Sequence, residues 1–133
     1  MNTNRHELGE NRILFKDEVY EIINCALDVS NILGNGFLEA VYQEALEIEF
    51  NKRNLPFQSQ KKLEIKYKDK ILKKEYIADF VCYEKIIVEL KAINKISSIE
   101  ESQILNYLKA TNLKLGLIIN FGNSKLEWKR YIF

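Results

Sequence analysis

Histidine, proline, methionine and tryptophan each occur once in the 133 residues, cysteine twice and glycine five times. The single histidine, His6, lies in the polar stretch Met1–Asn11, which reads as a frayed tail, so neither a histidine general base nor a Cys/His zinc site is expected. Cys25 and Cys82 both sit in apolar surroundings and read as free buried thiols of a protein in a reducing cytoplasm. The absence of any 18-residue apolar run excludes a membrane-spanning helix. Met1–Asn11 also lacks the apolar core of a secretory signal, so none is expected. No internal repeat, low-complexity tract or linker interrupts the chain. The expectation is a flexible segment over residues 1–14 followed by a single domain over 15–133, long enough to bury a core of its own.

What is present is ordinary in amount and uneven in placement. Hydrophobic residues make up 47% and charged residues 29%, which suits a globular protein that bears no membrane segment. The net charge of +1 conceals a division of sign: residues 1–50 hold three basic against ten acidic residues, and the remainder holds 17 against nine. A basic C-terminal portion suits a phosphate-backbone partner, and equally a solvated lysine-rich surface.

The chain is organised around Tyr76–Ala92, where Asp79, Glu89 and Lys91 are set among residues that otherwise belong in a core. Two β-rich runs flank Glu84, and a reversal centred there puts Asp79 opposite Glu89. Side chains alternate along a strand, so Glu89 and Lys91 share a face and Asp79 joins them across the ladder. Ala78, Phe80, Cys82, Val88, Leu90 and Ala92 are expected on the other face. With Ile77, Val81 and Ile87 beside the charges, the hairpin is expected in mid-sheet, covered on both sides. Two half-buried carboxylates repel, and withdrawing them from water is costly unless something compensates. Two readings follow: a structural ion-pair cluster closed by Lys91, or a divalent-cation site with a lysine beside it, the equipment for phosphodiester hydrolysis.

Taken in order, apolar residues at helical spacing from Phe15 to Leu33 predict an amphipathic helix ended by Gly34-Asn35-Gly36. Asn35 is expected to cap a second helix that stops at Asn54-Leu55-Pro56. Glu39 falls in its first turn, where the helix dipole favours a carboxylate, and Tyr42 and Gln43 are expected on the same face. Phe57–Tyr67 alternates as a strand with one wet face, Lys68-Asp69-Lys70 turns, and a return strand from Ile71 leads to Asp79. Seven lysines lie between Lys61 and Lys74, making this hairpin the candidate contact for a nucleic-acid backbone. Ser98-Ile99-Glu100-Glu101 has capping-box spacing, and the helix it opens carries Gln103 and Tyr107 one turn apart. Leu113–Phe121 reads as a buried strand, and the tail from Lys125 as an edge strand.

Asp79 followed by Glu89-Leu90-Lys91 resembles the PD-(D/E)XK nuclease superfamily, with Ala78-Asp79 in place of the leading Pro-Asp. Gly36-Phe37-Leu38-Glu39-Ala40-Val41-Tyr42 resembles the Gly-x-x-Glu-x-x-Tyr element that names a small bacterial family within it (GxxExxY). Gln103 to Tyr107 resembles the Gln-x-x-x-Tyr element of RecB-type nucleases. The resemblance runs from about residue 17 to the C-terminus, with the pieces in the expected order. It implies an α/β fold with a restriction-endonuclease-like core, a mixed central sheet flanked by helices. It also implies metal-dependent hydrolysis of a DNA or RNA phosphodiester; DNA is the expected partner ahead of RNA. Asp79 and Glu89 would hold Mg²⁺ or Mn²⁺ with the Leu90 carbonyl as a further ligand. Lys91 would orient the attacking water, Glu39 would complete the acidic pocket through a metal-bound water, and Gln103 and Tyr107 would support. The alternative is a non-catalytic nucleic-acid- or protein-binding module that keeps the fold; a third is a subunit of a defence or repair assembly. Either a homodimer or a larger assembly is compatible with the chain.

Overall fold

The protein is described by a computed structural model over residues 14–133. Of the expected flexible segment over 1–14, all but Leu14 lies outside the described residues, as does His6. Helix α1 (Lys16–Leu33) buries Val19, Ile22, Ile23, Ala26 and Val29 along the stripe that their three- and four-residue spacing dictates. Gly34 and Gly36 end it at positive φ, 70° and 110°. Helix α2 (Glu39–Lys52) therefore begins later than a cap at Asn35 would set: Gly36 cannot be a helical residue at that φ, and Leu38 takes the N-cap position with no side-chain cap. Only Tyr42, Leu46 and Phe50 of α2 are buried. Leu38, Val41 and Ile48 lie off that stripe and are exposed.

Five strands form one sheet in the order β1 (Phe57–Leu63), β4 (Tyr76–Cys82), β5 (Ile86–Lys91), β6 (Leu115–Asn120) and β7 (Glu127–Ile132). Every neighbouring pair is antiparallel except β5 and β6. A parallel pair needs a crossover, and helix α3 (Ser98–Thr111) supplies it. The helix is capped one residue earlier than expected. Ser97 is the N-cap, its N–H donating to Glu100 Oε1 at 2.7 Å, because Ser-x-x-Glu spacing also holds in the frame that follows buried Ile96. The result is a mixed central sheet flanked by helices, the α/β architecture expected. One face packs Phe80, Cys82, Val88, Leu90 and Leu117 against α1 and α2. The other packs Val81, Ile87 and Ile118 against Ile104, Tyr107 and Leu108 of α3. The edge-strand expectation holds for β7.

Two departures from the expected hairpins matter for the site. Beyond Leu63 the lysine-rich segment leaves the main sheet. It forms a separate two-stranded ribbon, β2 (Lys66–Tyr67) with β3 (Lys70–Ile71), whose Tyr67 and Ile71 are exposed rather than alternately buried. The second departure is at Asp79. Side-chain alternation would place Ala78 with Phe80, yet Ala78 packs with Val81 and Ile87 on the α3 face. Gln60, opposite Asp79 on β1, has φ 50°, and neither residue is paired in the β1–β4 ladder although the register is unchanged on both sides. The pleat is thus reversed at this one rung, as a bulge would re-aim a side chain, but without an inserted residue.

Candidate functional site

The β4–β5 reversal at Tyr83-Glu84, both at positive φ, sets a register in which Asp79 falls opposite Glu89, as the sequence predicts. The backbone ladder itself stops at Phe80–Val88. Beyond it the two carboxylates take over the pairing. The Asp79 N–H donates to Glu89 Oε2 at 2.7 Å, and the Leu90 N–H donates to Asp79 Oδ2 at 2.8 Å. Each carboxylate is thereby clamped to the other's strand through one oxygen. Each such bond is charge-assisted while its carboxylate is ionised, and then stabilises by about 1.5–3 kcal/mol. Their second oxygens remain, with Gln60 Nε2 at 3.3 Å from Asp79 Oδ1.

The cost of holding these charges shows in their protonation. Glu89 is 5% exposed, and burial, then the neighbouring Asp79 charge, pushes its carboxyl up from 4.5 to about 8. Burial also raises Asp79, against the opposing effect of the Leu90 N–H. Lys91 lies near enough to favour both charged forms, but its Nζ is directed to Gln103 Oε1 at 3.2 Å. The Gln103 amide then donates to the Tyr107 phenol at 3.1 Å. Among the described residues no ion pair joins Lys91 to either carboxylate. The structure therefore brings Asp79, Glu89, Leu90, Lys91, Gln103 and Tyr107 into one continuous arrangement.

Glu39 stands at the rim. It is exposed in the first turn of α2 and lines a cleft of about 490 Å³ with Gln43, Gln60, Asp79 and Leu90. It makes no hydrogen bond to the pair, although its charge adds to the upward push on Glu89. Tyr42 does not share its face. That side chain is fully buried, stacked on Phe121 at 4.5 Å and 8°, and its hydroxyl donates to Gly34 O at 2.7 Å while accepting from the Phe37 N–H at 3.3 Å. Tyr42 thus ties down the glycine turn that delivers Glu39.

Three supporting residues carried no role in the sequence reading. Gln43 reaches across to β1 and β4, donating to Ser59 Oγ at 2.9 Å and Asp79 O at 3.1 Å. Asn120, fully buried at the end of β6, accepts from the Ile93 N–H at 3.0 Å and donates to Ile93 O at 2.9 Å, fixing the chain just after Lys91. Gly122 lies against that same loop, where an added Cβ would sit 1.9 Å from Ile93 O. Gln43 was detectable as a residue one turn from Glu39. Nothing local marks Asn120 for this tether, since Ile93 is 27 positions away.

The donor set suits a hard cation. Among the described residues no group of three His, Cys, Asp or Glu side chains converges, so the candidate protein ligands are two carboxylates and neighbouring backbone oxygen. Mg²⁺ is commonly held by one or two carboxylates while keeping several waters. The partly compensated charge of Asp79 and Glu89 is what such an ion would neutralise.

The comparisons with known proteins agree with this geometry. Over residues 16–131 the chain matches the family described as the PD-(D/E)XK nuclease superfamily. Among solved structures, the crystal structure of SSO0001 is similar in fold, with a TM-score of 0.54 and 19% identity over 91% of this chain. The match spans 60% of the SSO0001 chain. A search of curated proteins finds no match. Among the described residues no helix is long and apolar enough to cross a membrane. The superfamily comprises nucleases that typically use divalent metals on nucleic-acid substrates, and with the mixed sheet and the matched span together the chain belongs to the PD-(D/E)XK nuclease superfamily.

Proposed function

We propose that the protein is a metal-dependent nuclease of the GxxExxY type, with DNA as the first substrate to test and RNA the second. The observation that carries the reading is the reciprocal clamp. Asp79 and Glu89 each spend one oxygen on the opposing strand's N–H, are held together despite their repulsion, and receive no ion pair from the nearby lysine. A structural ion cluster would use Lys91 to close the pair; here Lys91 is turned to Gln103.

The remaining oxygens of Asp79 and Glu89, with the Leu90 carbonyl, would hold Mg²⁺ or Mn²⁺. When bound, such a cation polarises a phosphoryl oxygen and lowers the pKa of water. With one N–H given to Gln103, the Lys91 ammonium has two left for the attacking water or a non-bridging phosphate oxygen. Its part is to orient and to offset developing negative charge. Gln103 fixes the ammonium's direction, and Tyr107, 5% exposed, fixes Gln103. Glu39, tethered through the Tyr42 turn, adds acidity at the mouth of the cleft.

Calorimetric titration of Mn²⁺ into wild type, Asp79→Ala and Glu89→Ala, followed by cleavage of single- and double-stranded DNA and RNA, tests this. Metal uptake lost in both variants, with cutting that needs the metal, is the expected result. A protein that takes up no Mn²⁺ even with nucleic acid present, or that holds its partner equally well with and without Mg²⁺ and never cuts, is a binding module instead.

A further inference from the structure

The two faces of the sheet are covered unequally. Among the described residues, two helices lie on one face, whereas α3 alone lies on the other, and it packs chiefly over β5, β6 and β7. The β1–β4 part of that face is left as the floor of a groove of about 1020 Å³ running along α3. Its walls are of opposite origin but similar chemistry. Lys61, Lys62 and Lys66 come from the β1–β2 side and Lys109 from α3, against two acids, Glu64 and Glu84. Lys62 is committed to Glu75 at 3.0 Å, which leaves three lysines unpaired among the described residues. In the floor stands Tyr76, 39% exposed, its ring braced edge-on against Tyr107 at 5.7 Å and 66°.

From this juxtaposition we propose that the groove is a track for single-stranded nucleic acid. An unpaired base stacks on Tyr76, and Lys61, Lys66 and Lys109 take successive phosphates. The inference rests on the nuclease reading for its direction, because Gln103 and Tyr107 form part of the groove wall and also lead by hydrogen bonds to Lys91. A strand lying in the groove thereby runs along the wall whose hydrogen bonds end at Lys91, the residue beside Asp79 and Glu89. A basic channel with an aromatic platform is how sequence-tolerant single-strand binding is built. A duplex does not satisfy it: its bases are stacked on one another and present only their edges, so a ring recessed in a floor finds no face to meet. The exposed Tyr67, beside Lys68 at 5.6 Å on the β2–β3 ribbon, lies next to the Lys66 end of the groove.

The test is binding without cutting. Fluorescence anisotropy of the full chain in EDTA is measured with labelled dT and rU oligomers of about 12 nucleotides and with a duplex of the same length. The expected result is single-strand binding about tenfold or more tighter than duplex binding. Tyr76→Ala weakens it about 5- to 100-fold, and Tyr76→Trp retains it. Replacing Lys61, Lys66 and Lys109 together with alanine reduces the slope of log K against log salt by about 2. The dT and rU arms separate DNA from RNA as the source of the strand. Duplex binding as tight as single-strand binding, or Tyr76→Ala without effect in a protein whose circular dichroism is unchanged, overturns the proposal. Because no metal is present, these outcomes are independent of whether the protein cuts: loss of metal-dependent cleavage would remove the nuclease reading and leave the binding result standing.

Discussion

Replacing Glu89 with glutamine should stabilise the metal-free protein at alkaline pH while abolishing metal uptake and cleavage. The Glu89 carboxyl is lifted from an ordinary 4.5 to about 8, first by burial and then by Asp79. A group whose folded pKa is raised favours folding in its protonated form. Its contribution is therefore fully present below about pH 4.5 and is lost as pH rises through about 8. The interval sets an upper bound of about 5 kcal/mol on that loss. Glutamine keeps an oxygen to accept the Asp79 N–H at the position where Glu89 Oε2 now accepts it, but its amide N–H₂ gives up water, at about 1–3 kcal/mol. The net gain expected at pH 8.5 is about 2–3 kcal/mol, which for a chain of this length raises Tm by roughly 6–12 °C. At pH 5, where the pH-linked loss has barely begun, the amide cost is left almost alone and the variant should be level with wild type or below it by up to about 2 kcal/mol. Thermal and urea denaturation of both proteins in EDTA at the two pH values supply the measurement, with the difference between them as the readout. Adding Mn²⁺ should restore wild type at pH 8.5 and leave the variant unmoved. A variant that tracks wild type at both pH values would refute the claim that an only partly compensated buried charge sits at this position.

Lys91→Met should lower cleavage about 100-fold or more while the heat of Mn²⁺ binding persists, because the ammonium is assigned to water and phosphate rather than to the cation; equal loss of both would tie Lys91 to the metal. Tyr42→Phe removes the bonds to Gly34 O and from the Phe37 N–H while keeping the stack on Phe121, so the urea midpoint should fall by the equivalent of about 1–2 kcal/mol, with slower cutting through a displaced Glu39. Gly122→Ala places a Cβ 1.9 Å from the Ile93 carbonyl oxygen, and equilibrium unfolding should show a loss of about 3 kcal/mol. Burial pushes the Cys25 thiol up to about 11 and Cys82 higher still, so neither should react with a thiol reagent at pH 8 until denaturant is added.

Most of the architecture could be read along the chain because the signals are local and periodic. The stripe of α1, the continuous burial of β5 and β6, and the reversal about Glu84 follow from spacing alone. Corrections arose where a local rule admitted two solutions or a partner was remote. Ser97 and Ser98 both satisfy capping-box spacing, and burial of Ile96 goes with the frame that uses Ser97. Alternation predicts Ala78 with Phe80, but it packs with Val81 and Ile87, next to the unpaired rung where Gln60, on another strand, takes a positive φ. Tyr42 was assigned to the face of Glu39 by helical spacing, whereas its hydroxyl reaches back to the turn before the helix.

The sequence by itself determined which charged residues lie on adjacent β-runs, since Asp79, Glu89 and Lys91 stand in segments too apolar to be anything but core. It also determined their approximate register, because a reversal between two strands is a matter of counting. Only the tertiary structure decided what those charges do to one another. The exchange of carboxylate oxygens for backbone N–H partners, the turning of Lys91 to a glutamine on α3, and the tether from Asn120 to Ile93 join elements far apart in the chain. Such contacts depend on distances and burial that arise when helices close over a sheet, and no local pattern of residue types encodes them.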